Sequence, residues 1–160
     1  GLVRKIANAY ARGEHRSYVL KDNEAMQLIR EAGAIAQSKC TCRTLYHNCD
    51  NPRDNELLLA PSRHILRETM PKGAAEITPV KATEIIEESL RRNLVLTVVK
   101  CRGDYYAICS CCSCCCIPLR FSWCYKIGDA LTRHKDIVKE FREYVAANKD
   151  EAHHSHQTTT

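Results

Sequence analysis

The 160-residue sequence predicts an α+β fold: a mostly helical small domain whose β-hairpin, set like a small winged helix, leads into a cysteine-rich loop. Three observations predict it. Apolar residues recur at helical spacing in several segments; residues 94–99 (LVLTVV) switch to β-branched character; and six cysteines fall within eight residues directly after the return strand.

Taken in order, Val3, Ile6, Ala7 and Tyr10 form a short helical stripe in residues 2–12. Residues 17–20 (SYVL) read as extended chain. Asp22 is placed to cap a helix over residues 22–39, with Ala25, Leu28, Ile29, Ala32, Ile35 and Ala36 as its apolar face. That helix runs into Cys40, so the first cysteines are expected at a helix C-terminus. Residues 46–53 (YHNCDNPR) carry turn chemistry. Leu57, Leu58 and Leu59 open a new apolar segment, and Ile65, Leu66 and Met70 belong to a helix ending near Pro71. Thr78-Pro79 starts another helix, with Thr78 as cap and Pro79 at the first position. The hairpin follows, turning at Gly103-Asp104, with residues 105–108 as its second strand. Residues 119–125 are short and mixed, and residues 129–147 read as a last helix.

The hydrophobic share of 44% and charged share of 27% are those of a globular chain. A single domain over 1–150 is expected, with a disordered polar tail over 151–160. No stretch is long and apolar enough to cross a membrane, and the first residues lack a secretory pattern. The net charge of +5 counts every thiol as neutral. It is therefore a weak argument for nucleic acid, since metal-bound thiolates would change it.

Eleven cysteines, an odd number with six nearly adjacent, make a poor disulfide framework. A reducing, cytoplasmic setting and a metal role fit better. The first group is Cys40-x-Cys42-Arg43-x5-Cys49-Asp50-x-Pro52; the second is Cys109, Cys111, Cys112, Cys114, Cys115 and Cys116. Thiolates are the soft ligands chosen by zinc and iron–sulfur clusters. Arg43 reads either as a counter-charge for such a centre or as a surface arginine. Cys101 and Cys124 stand apart and read as small buried hydrophobes.

The order C-x-C-R, then C-D-x-P, a helix, a hairpin and C-x-C-C-x-C-C-C resembles the ligand module of anaerobic 4Fe-4S-binding proteins and oxidoreductases. The likeness spans about residues 17–120. It implies 4Fe-4S clusters, or a non-cubane or larger cluster, serving electron transfer with a redox partner protein; a homo-oligomer is also compatible. Members commonly carry a further cysteine after the C-D-x-P turn, where this chain has Glu56, and a dicluster ferredoxin domain, for which no cysteine remains after Cys124. The first site then takes its fourth ligand from the 109–116 run or from Glu56, or leaves one iron open. Two other readings follow: an enzyme or subunit whose open-site cluster acts on a small substrate, and, more weakly, a metal- or redox-sensing DNA-binding regulator. Against the last, residues 79–90 carry Glu84, Glu87 and Glu88, an acidic set for a groove-reading helix.

Overall fold

In chain order the elements are α1 (Leu2–Gly13), β1 (His15–Val19), α2 (Asp22–Glu31), β2 (Ala34–Ser38), α3 (Thr41–Tyr46), β3 (Glu56–Ala60) and α4 (Arg63–Thr69). Then come β4 (Ala75–Ile77), α5 (Pro79–Arg91), β5 (Val95–Cys101), β6 (Asp104–Cys111), α6 (Ile117–Tyr125), a 3-10 turn (Gly128–Ala130), β7 (Leu131–Arg133) and α7 (Ile137–Asn148). This computed structural model describes residues 1–149, so the tail expected over 151–160 lies outside the described residues.

The strands form one seven-stranded sheet in the order β4-β2-β3-β6-β5-β1-β7, antiparallel except for β1 beside β7. The α+β class is as expected. The winged-helix arrangement is corrected: α5 does precede the β5–β6 hairpin, but β6 pairs with β3 and β5 pairs with β1. A hairpin with both edges paired is the middle of a sheet, not a free wing.

Side chains alternate across the sheet, and this divides the core into two layers. One face carries Leu57, Leu59, Leu96, Val98, Tyr105 and Ile108 against Leu28 and Ile29 of α2, Ile86 of α5 and Phe141 of α7. The other face carries Leu58, Ala60 and Ala107 under α4, and Cys109 and Cys111 beside α6. Cys109 and Cys111 lie on this second face, and Cys49, Cys112, Cys114 and Cys115 pack around Leu94, just before β5. Thr78 caps α5 as expected, its Oγ1 accepting from the Lys81 N–H, and Oγ of Ser62 accepts from the Ile65 N–H at the start of α4; Asp22, expected to cap α2, is instead its first residue, with Lys21 at the cap position.

Three expected boundaries move. The helix expected over 22–39 stops at Glu31; Ala34–Ser38 is instead a strand held on both sides by β3 and β4. Gly33 makes the change of direction, its N–H donating to the Ala60 carbonyl so close to Pro61 that a Cβ would strike the Pro61 carbonyl. Cys40 therefore precedes a short helix rather than following a long one. The last helix begins at Ile137, because Gly128–Arg133 is spent on the 3-10 turn and β7. Finally, Cys109 and Cys111 belong to strand β6; only Cys112–Cys115 turn, and Cys116 precedes α6.

Candidate metal centre

Strand β6 delivers Cys109 and Cys111 to one face of the sheet, two residues apart. The chain then reverses: the Cys116 N–H donates to the Cys112 carbonyl at 3.0 Å, and Pro118 sits in the first turn of α6. The reversal sorts the cysteine run. Cys112, Cys114 and Cys115 point one way, while Cys116 returns beside Cys111.

The first group is Cys49, Cys112, Cys114 and Cys115. All four sulfurs lie within 4.8 Å of one another, and Cys49 is 3.8 Å from both Cys112 and Cys115. A tetrahedral ion with metal–sulfur bonds of ~2.3 Å holds its sulfurs about 3.8 Å apart. This group can therefore hold a metal ion, and its spacing is that of a single one. A cubane places its thiolates on four separate irons, so they stand farther apart than this. Nδ2 of Asn51 donates to the Cys49 sulfur at 3.5 Å, and Asn48 ties the loop down by donating to the Cys114 carbonyl. Burial opposes ionisation of Cys49, but the Asn51 backbone N–H and the Cys114 thiol outweigh it and lower its pKa. Burial raises that of Cys114. Cys49 thus becomes a thiolate before Cys114 and Cys115, which are pushed the other way.

The second group is a chain of thiols: Cys40 donates to Cys42, Cys42 to Cys116 and Cys116 to Cys111. Oγ1 of Thr97 lies 3.6 Å from the Cys111 sulfur, and the Ile117 N–H donates to Cys42. Each donor's pKa is pushed up by the thiol it serves. With Cys109 these residues line a cavity of about 300 Å³ between the sheet and the starts of α3 and α6. Glu56, 9% exposed, lines it too; burial raises its pKa, against a bond from the Thr41 backbone. Burial and the neighbouring Glu56 likewise push Cys109 up.

Arg43 joins the two segments. Its side chain is 1% exposed, and it donates to the carbonyls of Pro52 and Ser110, to Oδ1 of Asn55 and to the Cys112 sulfur. The surface reading of Arg43 is corrected: the guanidinium is buried. Among the described residues it forms no ion pair with a carboxylate, and burial by itself would lower its pKa. The bond to Cys112 and the charges of Cys40 and Cys49 act the other way and raise it. The groups placed to balance Arg43 are therefore the thiols Cys40, Cys49 and Cys112.

Two expectations change here. Cys40, Cys42 and Cys49 do not converge on one point: Cys49 joins the first group, and Cys40 and Cys42 join the second. Glu56 lines the cavity with Cys40 and Cys42, its expected neighbours, and with Cys109, Cys111 and Cys116. Cys124 is exposed rather than buried, and Cys101 is half-buried with its sulfur 2.7 Å from Nδ1 of His15. Asn51 and Asn55, whose side-chain amides meet Cys49 and Arg43, and Ser110, whose backbone carbonyl accepts from Arg43, carry no sequence signal, since single amides occur in any loop and every residue offers a carbonyl. No protein-family model, no curated protein and no solved structure matches the chain. The 4Fe-4S resemblance thus rests on the cysteine spacing alone.

Proposed function

We propose that this protein is a metal–thiolate electron-transfer protein with two adjacent centres, working with a redox partner protein. The observation that carries it is that nine cysteines from two segments some sixty residues apart gather into two neighbouring groups around one buried arginine. The Cys49, Cys112, Cys114 and Cys115 group suits one tetrahedral iron or zinc ion. The larger set, Cys40, Cys42, Cys109, Cys111 and Cys116, borders a cavity and suits an iron–sulfur cluster, whose low dielectric surroundings and nearby N–H groups tune its potential. The cluster supplies one-electron chemistry; the chain supplies soft ligands, burial and the compensating charge of Arg43. A setting low in oxygen, where such thiolates stay reduced, fits this reading.

Anaerobic purification with iron, zinc and sulfide analysis tests it. A brown protein, containing acid-labile sulfide and bleached by dithionite, is the expected result. Cys114→Ser should remove the single ion and keep the sulfide, whereas Cys42→Ser should lose the sulfide. A colourless protein with zinc alone would sink electron transfer. A second reading is favoured by Glu56: a buried carboxylate on the cavity wall suits a cluster with one iron open to a small substrate. A change in the cluster's EPR spectrum on adding small oxygen- or sulfur-containing ligands would select it.

A further inference from the structure

Among the described residues, seven of the eleven large apolar side chains that stand exposed belong to two neighbouring helices, α1 and α6. Single exposed apolar residues are ordinary, but a gathering of them marks a contact surface. On α1 they are Leu2, Val3, Ile6 and Tyr10, between 60% and 81% exposed, at the spacing that sets them along one flank of the helix. The other side of α1 is taken. Oδ1 of Asn8 accepts from the Asp129 N–H at 2.9 Å, Arg12 pairs with the Asp129 carboxylate at 2.6 Å, and Ala11 is buried. The outward flank is therefore held outward. Across an open groove from Val3 and Ala7 stand Phe121 and Ile127, and the Tyr125 ring meets Phe121 edge to face at 6.0 Å.

The charge around this face has one sign. Helices α1 and α6 and the turn after α6 carry five cations and one carboxylate, Asp129, which Arg12 occupies. Among the described residues Arg4, Lys5, Arg120 and Lys126 have no carboxylate partner, Arg120 lying instead over the Tyr46 ring. Glu14, just past α1, is engaged by Arg102.

We propose that α1 and α6 form a docking face for an anionic lipid surface, with α1 lying in the plane of the surface and its apolar flank at the boundary of headgroups and acyl chains. The charge selects this occupant. Unpaired cations complement anionic headgroups, and the long stems of Lys5 and Lys126 can lie along the apolar strip with their charges in water. Tyr10 and Tyr125, apolar rings with a polar tip, suit the same boundary. A second copy docked symmetrically through this face would set like charges against each other. An acidic protein would meet the charge but would have to fit the projecting Leu2 and Val3 one by one, whereas a lipid surface needs no such match. No helix among the described residues is long and apolar enough to cross a bilayer, so the association is peripheral and reversible. Phe121 lines both the groove and the cysteine cavity, so docking brings that cavity close to the lipid surface.

Flotation of the metal-loaded protein with vesicles, under anaerobic conditions, tests this. With phosphatidylcholine vesicles containing about one-third phosphatidylserine the protein should float with the lipid, and about 0.5 M salt should release it. With phosphatidylcholine alone it should stay in the buffer. Ile6→Glu and Tyr125→Glu, both at exposed positions, should each lower partitioning at least tenfold, and Lys5→Glu combined with Lys126→Glu should do the same. Val80→Glu alters an equally exposed apolar residue on α5 and should float as the wild type does. Circular dichroism with metal and sulfide content, measured on the same samples, reports folding and the two centres separately. Flotation that ignores headgroup charge, or that survives both Ile6→Glu and Tyr125→Glu, would overturn the proposal. So would wild-type protein that stays in the buffer at low salt, whether sedimentation then shows a second copy on this face or another protein covers it.

Discussion

Arg43 ties the cysteine site to the rest of the chain through four acceptors on two distant segments: the Pro52 carbonyl, Asn55, the Ser110 carbonyl and Cys112. A guanidinium taken out of water without a carboxylate is tolerated only where something else carries the opposite charge. In the function proposed above that is thiolate, so arginine and metal would support each other: the ion would keep the cysteines deprotonated, and the arginine would offset their excess charge. Arg43→Met keeps the volume but strands three polar acceptors and the thiolates. It should cost about 3 kcal/mol or more and lower metal content. Arg43→Lys keeps the charge but cannot span all four acceptors, and should cost less while retaining the metal. Urea unfolding with metal analysis of the three proteins checks this; an Arg43→Met variant with native stability and full metal would show that thiolate charge is not what Arg43 balances. The sequence left Arg43 open between counter-charge and surface. Burial depends on residues 12 and 67 positions away, Asn55 and Ser110, which no local pattern connects to it.

Among the elements, those with a local signal were legible and those defined by distant partners were not. The Thr78-Pro79 start of α5, the β5–β6 hairpin and its delivery into the cysteine run follow from caps, β-branching and turn residues. Residues 34–36, Ala-Ile-Ala, continue a helical stripe as readily as a strand, and only β3 and β4 on either side decide for the strand. Helix α7 shows how a late element is fixed to the sheet. Glu140 accepts from Lys100 on β5, from the Tyr105 hydroxyl on β6 at 2.7 Å and from Nε2 of His134. Burial would raise its pKa, but Lys100, Tyr105 and His134 together take it from 4.5 down to about 2. A carboxylate depressed on folding adds stability that is fully present above its unfolded value and is lost as pH falls through the folded one. Stability should therefore decline between about pH 4.5 and 2, and Glu140→Gln should flatten that part of the curve. With the side chain a third exposed, solvent screening keeps the effect near ~1 kcal/mol at neutral pH. Urea midpoints measured across that range for both proteins decide it; equal slopes would mean that the three donors do not hold α7 through this charge.

At the scale of the molecule, the two cysteine segments meet because the sheet brings them together. β6, which carries one segment, pairs with β3, whose start follows the loop that carries the other. The convergence of distant cysteines was legible in the sequence as chemistry, since so many thiols have few other uses. Their division was not: the turn over Cys112–Cys115 and the partition of Cys49 from Cys40 and Cys42 are set by tertiary geometry. A site assembled from strands and loops this far apart in sequence exists only in the folded chain, so any metal it binds would add to folding stability. For a ligand that binds the folded state alone, a free concentration a hundred times Kd contributes about 2.7 kcal/mol. In a domain of this size that raises Tm by roughly 5–10 °C. Zinc added to protein stripped anaerobically of metal is the simplest probe, because it needs no sulfide and fills the tetrahedral group directly. The gain should be close to this value in the wild type, somewhat reduced by zinc held on unfolded cysteines, and absent in Cys112→Ser. Thermal unfolding with and without zinc measures it, and an equal shift in both proteins would mean that the four thiols do not act as one site in the folded state.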